Sequence, residues 1–560
     1  MTFPTSIRPV VGQALITRVT RLYNGTMTDC LHELLQNARR AGATRVDINL
    51  VAHGTGPTLV LSDDGRGIDD PVHLLTLGQS GWDQETANRE DPAGMGLFSL
   101  AGRHVTVRSW SRAASQGWQV VIPVDGWTGD QALSIEPCGL PSGTEISVLL
   151  PADWVRGLDA ALKAAALYCP LPVRFQGDEI ERKGFLDGAC YMETGEGYHI
   201  GVFKRRAHEP RYHPRVNFHG VTLACQHDDV VEVAPPAYVW SARIDIDAAP
   251  SLQLVLPARK EMVENEALKA ARVAMERAIY RAIAAQGNHR LPFKSWLRAK
   301  ALGVDLPEAA RSLIVWKPTT ADSSSPFLGA EEATDAADMI IIRPAQADID
   351  QAAASVLSNA DLLGGTAADP ERQFEGYDWY DRLPRLTQID FTFWRDGQCW
   401  TYGTSDPDDL PGDLESGPVD SLLMDLVMAA SGHAGAVSAI RTFEVNALIA
   451  ANDGSWLEEA NVLFSKTAAL SPEALGHLID ASFFCASEDS GSDSWQTQYD
   501  RFCDEARDLA NTLLLGEEKA LLASLHSAFH DHLRWLIPEG RQLTLTARRD
   551  DLVISLSPLA

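Results

Sequence analysis

Glu33 and Asn37 stand four residues apart in Glu33-Leu-Leu-Gln-Asn37-Ala38, a spacing that places both on one face of a helix. A carboxylate so placed can orient and deprotonate a water. An amide oxygen beside it can complete a magnesium shell shared with phosphates. Farther on, Asp63-Asp64-Gly65-Arg66-Gly67-Ile68 follows an apolar strand. A carboxylate at a strand end can accept from the exocyclic amine of adenine, and Gly65 and Gly67 let the backbone turn tightly beside a base. Gly94-Met-Gly96-Leu-Phe-Ser99 then opens a helix, and glycines ahead of a helix expose N–H groups that can hold phosphate. Ser142-Gly143-Thr144 enters a strand with a hydroxyl able to bond near the same base. Each segment alone has a plainer reading: a solvated helix face, an Asp/Gly turn, a loop-to-helix junction, ordinary turn chemistry.

The elements needed to position these groups are legible around them. Residues 26–41 read as a helix, capped by Thr28 or Asp29 and stopped by Gly42. Alternating stretches at Arg45–Val51 and Thr58–Ser62 predict a hairpin. Residues 78–96 form a polar, glycine-bounded loop, and strands follow at His104–Trp110, Trp118–Pro123 and Glu145–Leu150. A helix followed by antiparallel strands predicts a two-layer α/β sandwich. A second unit is expected to open with a helix at Ala152–Tyr168. It continues through strands at Pro172–Gln176, His199–Lys204, Arg215–Phe218 and Ser251–Leu256, and closes on a helix at Glu264–Ala285. Residues 317–337 read as a linker. Beyond it, strands are expected at Thr387–Trp394 and Leu543–Leu556, and helices at Ser455–Ala469, Trp495–Leu515 and Lys519–Leu536.

Taken in order, the four segments resemble the Bergerat ATP-binding fold of the GHKL superfamily, which includes the gyrase B subunit, the ninety-kilodalton heat-shock chaperone, histidine kinases and MutL. The resemblance covers residues ~26–150. It implies ATP and Mg²⁺ as ligands, Glu33 as general base and Asn37 as magnesium ligand. It also implies Asp63 as the adenine reader, with Gly65, Gly67 and Ile68 shaping the pocket. Residues 78–96 become the ATP lid, Gly94, Gly96 and Leu97 the phosphate side, and Thr144 the closure of the adenine side. Residues ~151–290 resemble, less specifically, the second domain of the gyrase, MutL and chaperone group, through Cys169-Pro-Leu-Pro-Val-Arg-Phe-Gln-Gly177 and Leu256-Pro-Ala-Arg259-Lys260. There Arg259 or Lys260 would reach the γ-phosphate; a solvated loop charge is the equal alternative. The fold implied is an α+β sandwich ATPase domain (1–150), an α/β transducer-like domain (151–290), a helical connector and linker (291–345) and a mixed α/β acidic region (346–560).

One residue departs from the pattern. The chaperone and MutL branches carry an acid where this chain has Arg40, which lies near the face of Glu33 and Asn37. Paired with Glu33 it would reduce that group's basicity. The histidine-kinase branch does not suit, because only ~25 residues precede the first helix and leave no room for a dimerising helical pair. His526, His530 and His532 read as helix-surface histidines rather than a metal site. The aromatics of Tyr377-Asp-Trp-Tyr380 and Phe391-Thr-Phe-Trp394 read as core.

Composition bounds the rest. The chain has 560 residues, 45% hydrophobic and 22% charged, which predicts roughly three or four globular domains and no membrane span. Eight scattered cysteines without a Cys-x-x-Cys pair predict reduced thiols in a cytoplasmic protein, and the N-terminal residues show no secretory pattern. Residues 321–560 hold 41 acids and 14 bases, against 35 and 34 in residues 1–320. So acidic a region is unsuited to gripping a nucleic-acid backbone. The expectation is a Mg²⁺-dependent ATPase working as a conformational switch, in an ATP-linked homodimer, with chaperone-like action on a protein client. A nucleotide-sensing regulatory module with little turnover, and a DNA-processing clamp using Lys204-Arg-Arg206, are the alternatives.

Overall fold

Thr26 and Asp29 form a capping box: Thr26 Oγ1 accepts from the Asp29 N–H at 3.2 Å, and the Asp29 carboxylate accepts from the Thr26 N–H at 2.9 Å. They start helix α1 (Met27–Arg40) two residues earlier than Thr28, with Asp29 as the third helical residue. Met27, Leu31, Leu34, Leu35 and Ala38 recur at helical spacing and are buried. Burial of each leucine contributes about 1.5–3 kcal/mol. Gly42 turns the chain out of the helix at φ +71°.

The computed structural model describes residues 26–558 except 54–55, 77–81, 83–95, 129–131, 212–213, 234–235, 256–260, 323–330, 406–409, 412–413, 430–436, 451–456, 458–459 and 488–492. It is a mixed α/β structure that separates into two units, Met1–Ala309 and Ala310–Ala560.

In the first unit, α1 covers one face of an eight-stranded sheet. Its strands are β1 (Val46–His53), β2 (Gly56–Asp63), β3 (Val105–Ser111), β4 (Gln116–Ile122), β5 (Ile135–Cys138), β6 (Thr144–Leu149), β7 (Val173–Phe175) and β8 (Asp178–Glu179). The order is β5-β4-β3-β6-β2-β1-β7-β8, antiparallel except for the parallel β1–β7 pair. The helix and strand expected to open the second unit belong to this layer. Helix α2 (Ala152–Ala166) packs Leu158, Ala161, Leu162 and Ala165 into the same core, and the Val46 N–H bonds to the Pro172 carbonyl at 2.9 Å. The apolar face of α2 is satisfied by the sheet it leaves, so the first layer runs to about residue 180 instead of 150.

A six-stranded sheet follows, from β9 (Tyr191–Gly195) through β10 (Tyr198–Arg206), β11 (Val216–Phe218), β12 (Val221–Leu223) and β13 (Val230–Glu232) to β14 (Tyr238–Ile246), backed by α3 (Glu266–Ala285). The site-bearing helix is tied to it: Gln36 Nε2 donates to the Phe218 carbonyl at 3.2 Å.

The second unit is built on a five-strand path with one strand added beside it. Its central pair is Arg385–Arg395 with Ser421–Ala429, and a smaller three-stranded sheet lies in the same unit. Tyr377, Tyr380, Phe391 and Phe393 are fully buried. Two expectations fail here. Asn461–Ser465 is a buried strand where a helix was expected, because four of its five residues pack inward on both faces, a fully buried strand whose periodicity imitates a helix. The segment read as a linker is partly structural: Asp322 is buried, and Thr319 Oγ1 donates to Asp350 at 2.6 Å. No helix among the described residues is long and apolar enough to cross a membrane.

Candidate functional site

The four segments meet at one end of the eight-stranded sheet. Antiparallel register sets Asp63, at the end of β2, directly opposite Thr144, the first residue of β6, and Thr144 opposite Ser109 on β3. Gly143 precedes Thr144 at φ +72°, and a Cβ there would collide with the Asp63 carbonyl. Gly67, at φ +74°, is pressed against the Trp110 carbonyl in the same way. At Gly65 a Cβ would sit 2.7 Å from that of Ala41. These three glycines are therefore required by close backbone approach rather than by turn propensity alone.

The two aspartates of the motif have opposite environments. Asp64 is braced by the Thr44 N–H at 2.7 Å, the Thr44 hydroxyl at 2.5 Å and the Arg45 N–H at 3.3 Å. Burial disfavours its charge, but these hydrogen bonds outweigh it and hold the carboxyl below the usual carboxylate range. Asp63 accepts from the Gly65 N–H at 2.9 Å and from the Thr144 N–H, yet burial prevails and pushes its carboxyl up to about 6. At neutral pH Asp63 is an ionised acceptor in a poorly hydrated place.

Ile68 is held at both ends of its peptide: its N–H donates to Ser109 Oγ at 2.9 Å, and its carbonyl accepts from Trp118 Nε1 at 3.0 Å. Ser109 also bonds the Thr144 hydroxyl at 2.8 Å. Ser109 and Trp118 were missed from sequence. The available signal was a serine on the inward side of the alternating Val105-Thr-Val-Arg-Ser-Trp-Ser111, where apolar residues are expected.

On the other side of the site, Gly96 starts a short 3₁₀ turn (Gly96–Leu100) instead of a full helix. A Cβ on Gly96 would collide with Glu33 Oε1 and stand 2.7 Å from Asn37 Nδ2, so this glycine lies directly against the Glu33–Asn37 pair. Leu97 points into the core, leaving only its backbone to face a ligand. Arg40 is buried beside the same pair. Its Nη1 lies 3.2 Å from Asn37 Oδ1 and 3.8 Å from Glu33 Oε1, and its Nη2 donates to Gln36 Oε1 at 3.2 Å.

Thus Glu33, Asn37, Asp63, Gly65, Gly67, Ile68, Gly96 and Thr144 belong to one end of one layer. Gly94, Arg259, Lys260 and the lid, apart from Trp82 and Gly96, lie outside the described residues. Trp82 stacks on the Arg66 guanidinium at 5.1 Å. The glycine-lined backbone and the half-buried Asp63 fit a nucleotide. A magnesium ion on Asn37 does not fit the residues as they stand, since Arg40 already presents a positive charge to the oxygen that would ligate it.

Other candidates are weaker. Lys204 pairs with Glu232 at 3.4 Å and Arg205 with Asp229 at 3.7 Å, so much of the basic run is neutralised within its own sheet. A cavity of about 580 Å³ in the second unit is flanked by Arg311, Arg382 and Arg441. These arginines are engaged by the Ala337 carbonyl, Asp378 and the Leu363 carbonyl. His530 pairs with Asp531, and His526 and His532 are exposed on the same helical segment.

No protein-family model matches the chain, and no curated protein matches it.

Proposed function

We propose that the first layer binds ATP and hydrolyses it slowly, using the nucleotide to switch conformation. The observation that carries this reading is the position of Asp63: a half-buried carboxylate at a strand end, closely approached by Gly65 and Gly143, with Glu33 and Asn37 one helix away against Gly96. In this reading the Asp63 carboxylate accepts from the adenine amine, while Ser109 and Trp118 fix the Ile68 peptide beside the base. Gly96 lets phosphate approach Glu33 closely, and Glu33 holds and deprotonates the attacking water. Gln36, one residue from Asn37, links the helix to Phe218 and provides a route by which the occupied site biases the second sheet. The acidic second unit suits a protein client better than a nucleic acid.

Arg40 beside Glu33 favours a second reading, a nucleotide sensor with little turnover. Steady-state phosphate release from the wild type and Glu33→Ala separates the two. An ATPase gives a rate that the variant abolishes; a sensor binds ATP without a rate to lose.

A further inference from the structure

We propose that Arg40 is the resident cation of this pocket and that the chain binds a nucleoside triphosphate without a divalent metal; this rests on the nucleotide reading of the site. Three observations lead there. Nη1 of Arg40 donates to Asn37 Oδ1 at 3.2 Å, so the amide oxygen is turned to the guanidinium and the amide nitrogen to Gly96. The guanidinium is held from behind by Gln36 Oε1 at 3.2 Å, and Gln36 is itself anchored to the Phe218 carbonyl. The side chain is almost wholly buried, so the position is built into the core and is not a passing surface rotamer.

The chemistry follows from the guanidinium. It stays protonated at any accessible pH and carries five donors in a rigid fork. Asn37 and Gln36 accept from it, and Glu33 stands 3.8 Å away. A magnesium ion needs oxygen ligands at about 2.0–2.1 Å, which on Asn37 would bring it against a fixed positive charge. An anionic phosphate beside the same pair meets a fixed positive charge instead. Gly96, with no side chain to stand over Glu33 and Asn37, leaves the backbone near enough for the phosphates to approach them. The ligand class is a nucleoside triphosphate as the free tetra-anion, and the role of Arg40 is to position and neutralise it.

The test measures ATP affinity of the full-length chain by calorimetry, in excess EDTA and in excess magnesium. Wild type should change by less than about fivefold between the two buffers. Arg40→Asp should lose on the order of 30-fold or more in EDTA and regain most of it with magnesium. Arg40→Lys keeps the charge and should remain nearly indifferent to metal. If Arg40→Asp does not fold by circular dichroism, Asn37→Ala carries the same test, because a residue that ligates no metal leaves the metal response flat. A wild type that weakens more than fivefold on chelation overturns the proposal, as does an Arg40→Asp variant that ignores magnesium. A wild type that binds ATP in neither buffer removes the nucleotide reading itself, which the metal comparison distinguishes from a failure of Arg40 alone.

Discussion

Glu33 Oε1 stands 3.8 Å from Arg40 Nη1, seven residues farther along the same helix. That separation is too long for a hydrogen bond, so the guanidinium holds charge beside the carboxylate without bonding it directly. The arrangement separates binding from turnover. Replacing Glu33 with alanine should leave ATP affinity within a few-fold of wild type and lower turnover by roughly 10²–10⁴. Phosphate release at the wild-type rate from this variant would remove Glu33 as the base.

Asp63 carries a stability signature that needs no ligand. Its carboxyl is raised by burial from 3.8 to about 6. The folded state therefore holds a proton that the unfolded state has released between those values. Its contribution is most favourable below pH ~4 and is lost as pH rises through ~6. Asp63→Asn removes the ionisation. At pH 7.5 it should stabilise the ligand-free protein by up to ~3 kcal/mol, with no such gain at pH 3.5. Urea midpoints at the two pH values check this, and an equal shift at both contradicts the buried-charge account.

Gly143 and Gly42 share a left-handed backbone but differ in their surroundings. A Cβ at Gly143 strikes the Asp63 carbonyl, whereas at Gly42 nothing lies within 4 Å. Gly42→Ala should cost about 1 kcal/mol, the penalty for the backbone conformation alone. Gly143→Ala should cost at least ~2 kcal/mol more, since the β2–β6 register must shift to relieve the contact. Equal destabilisation of the two variants in denaturant titration is the outcome that would count against a close-packed Asp63 loop.

Arg259 and Lys260 enter only through sequence. A cation delivered from outside the first layer acts on charge that develops in the transition state. Removing whichever of the two reaches the phosphates should slow hydrolysis by on the order of 10²-fold with little loss of ATP affinity. The single alanine variants, assayed for both, decide it. If neither slows turnover, residues beyond the first layer do not complete the site.

The residues of the candidate site were more legible in the sequence than the architecture around them. Glu33, Asn37, Asp63 and the glycines were legible because helical spacing and tight-turn chemistry are local properties. Ser109 and Trp118 were not, because their role depends on which strands become neighbours. Arg40 was visible as a departure, but only burial and the bond to Gln36 decide that it turns toward Asn37 and not toward solvent. The end of the first layer was misplaced for a similar reason. Nothing local in Ala152–Ala166 says whether its apolar face covers the preceding sheet or the following one. Asn461–Ser465 shows the limit of periodicity, since a strand buried on both faces has no alternation to read.

If Asp63 reads an adenine, calorimetric titration of ATP must distinguish the full-length wild type from Asp63→Ala. The variant loses a charge-assisted hydrogen bond, about 1.5–3 kcal/mol, so wild-type binding should be saturable and Asp63→Ala should weaken it roughly ten- to hundred-fold. Wild-type binding that Asp63→Ala leaves unchanged, or a wild type that does not bind ATP, would contradict that reading.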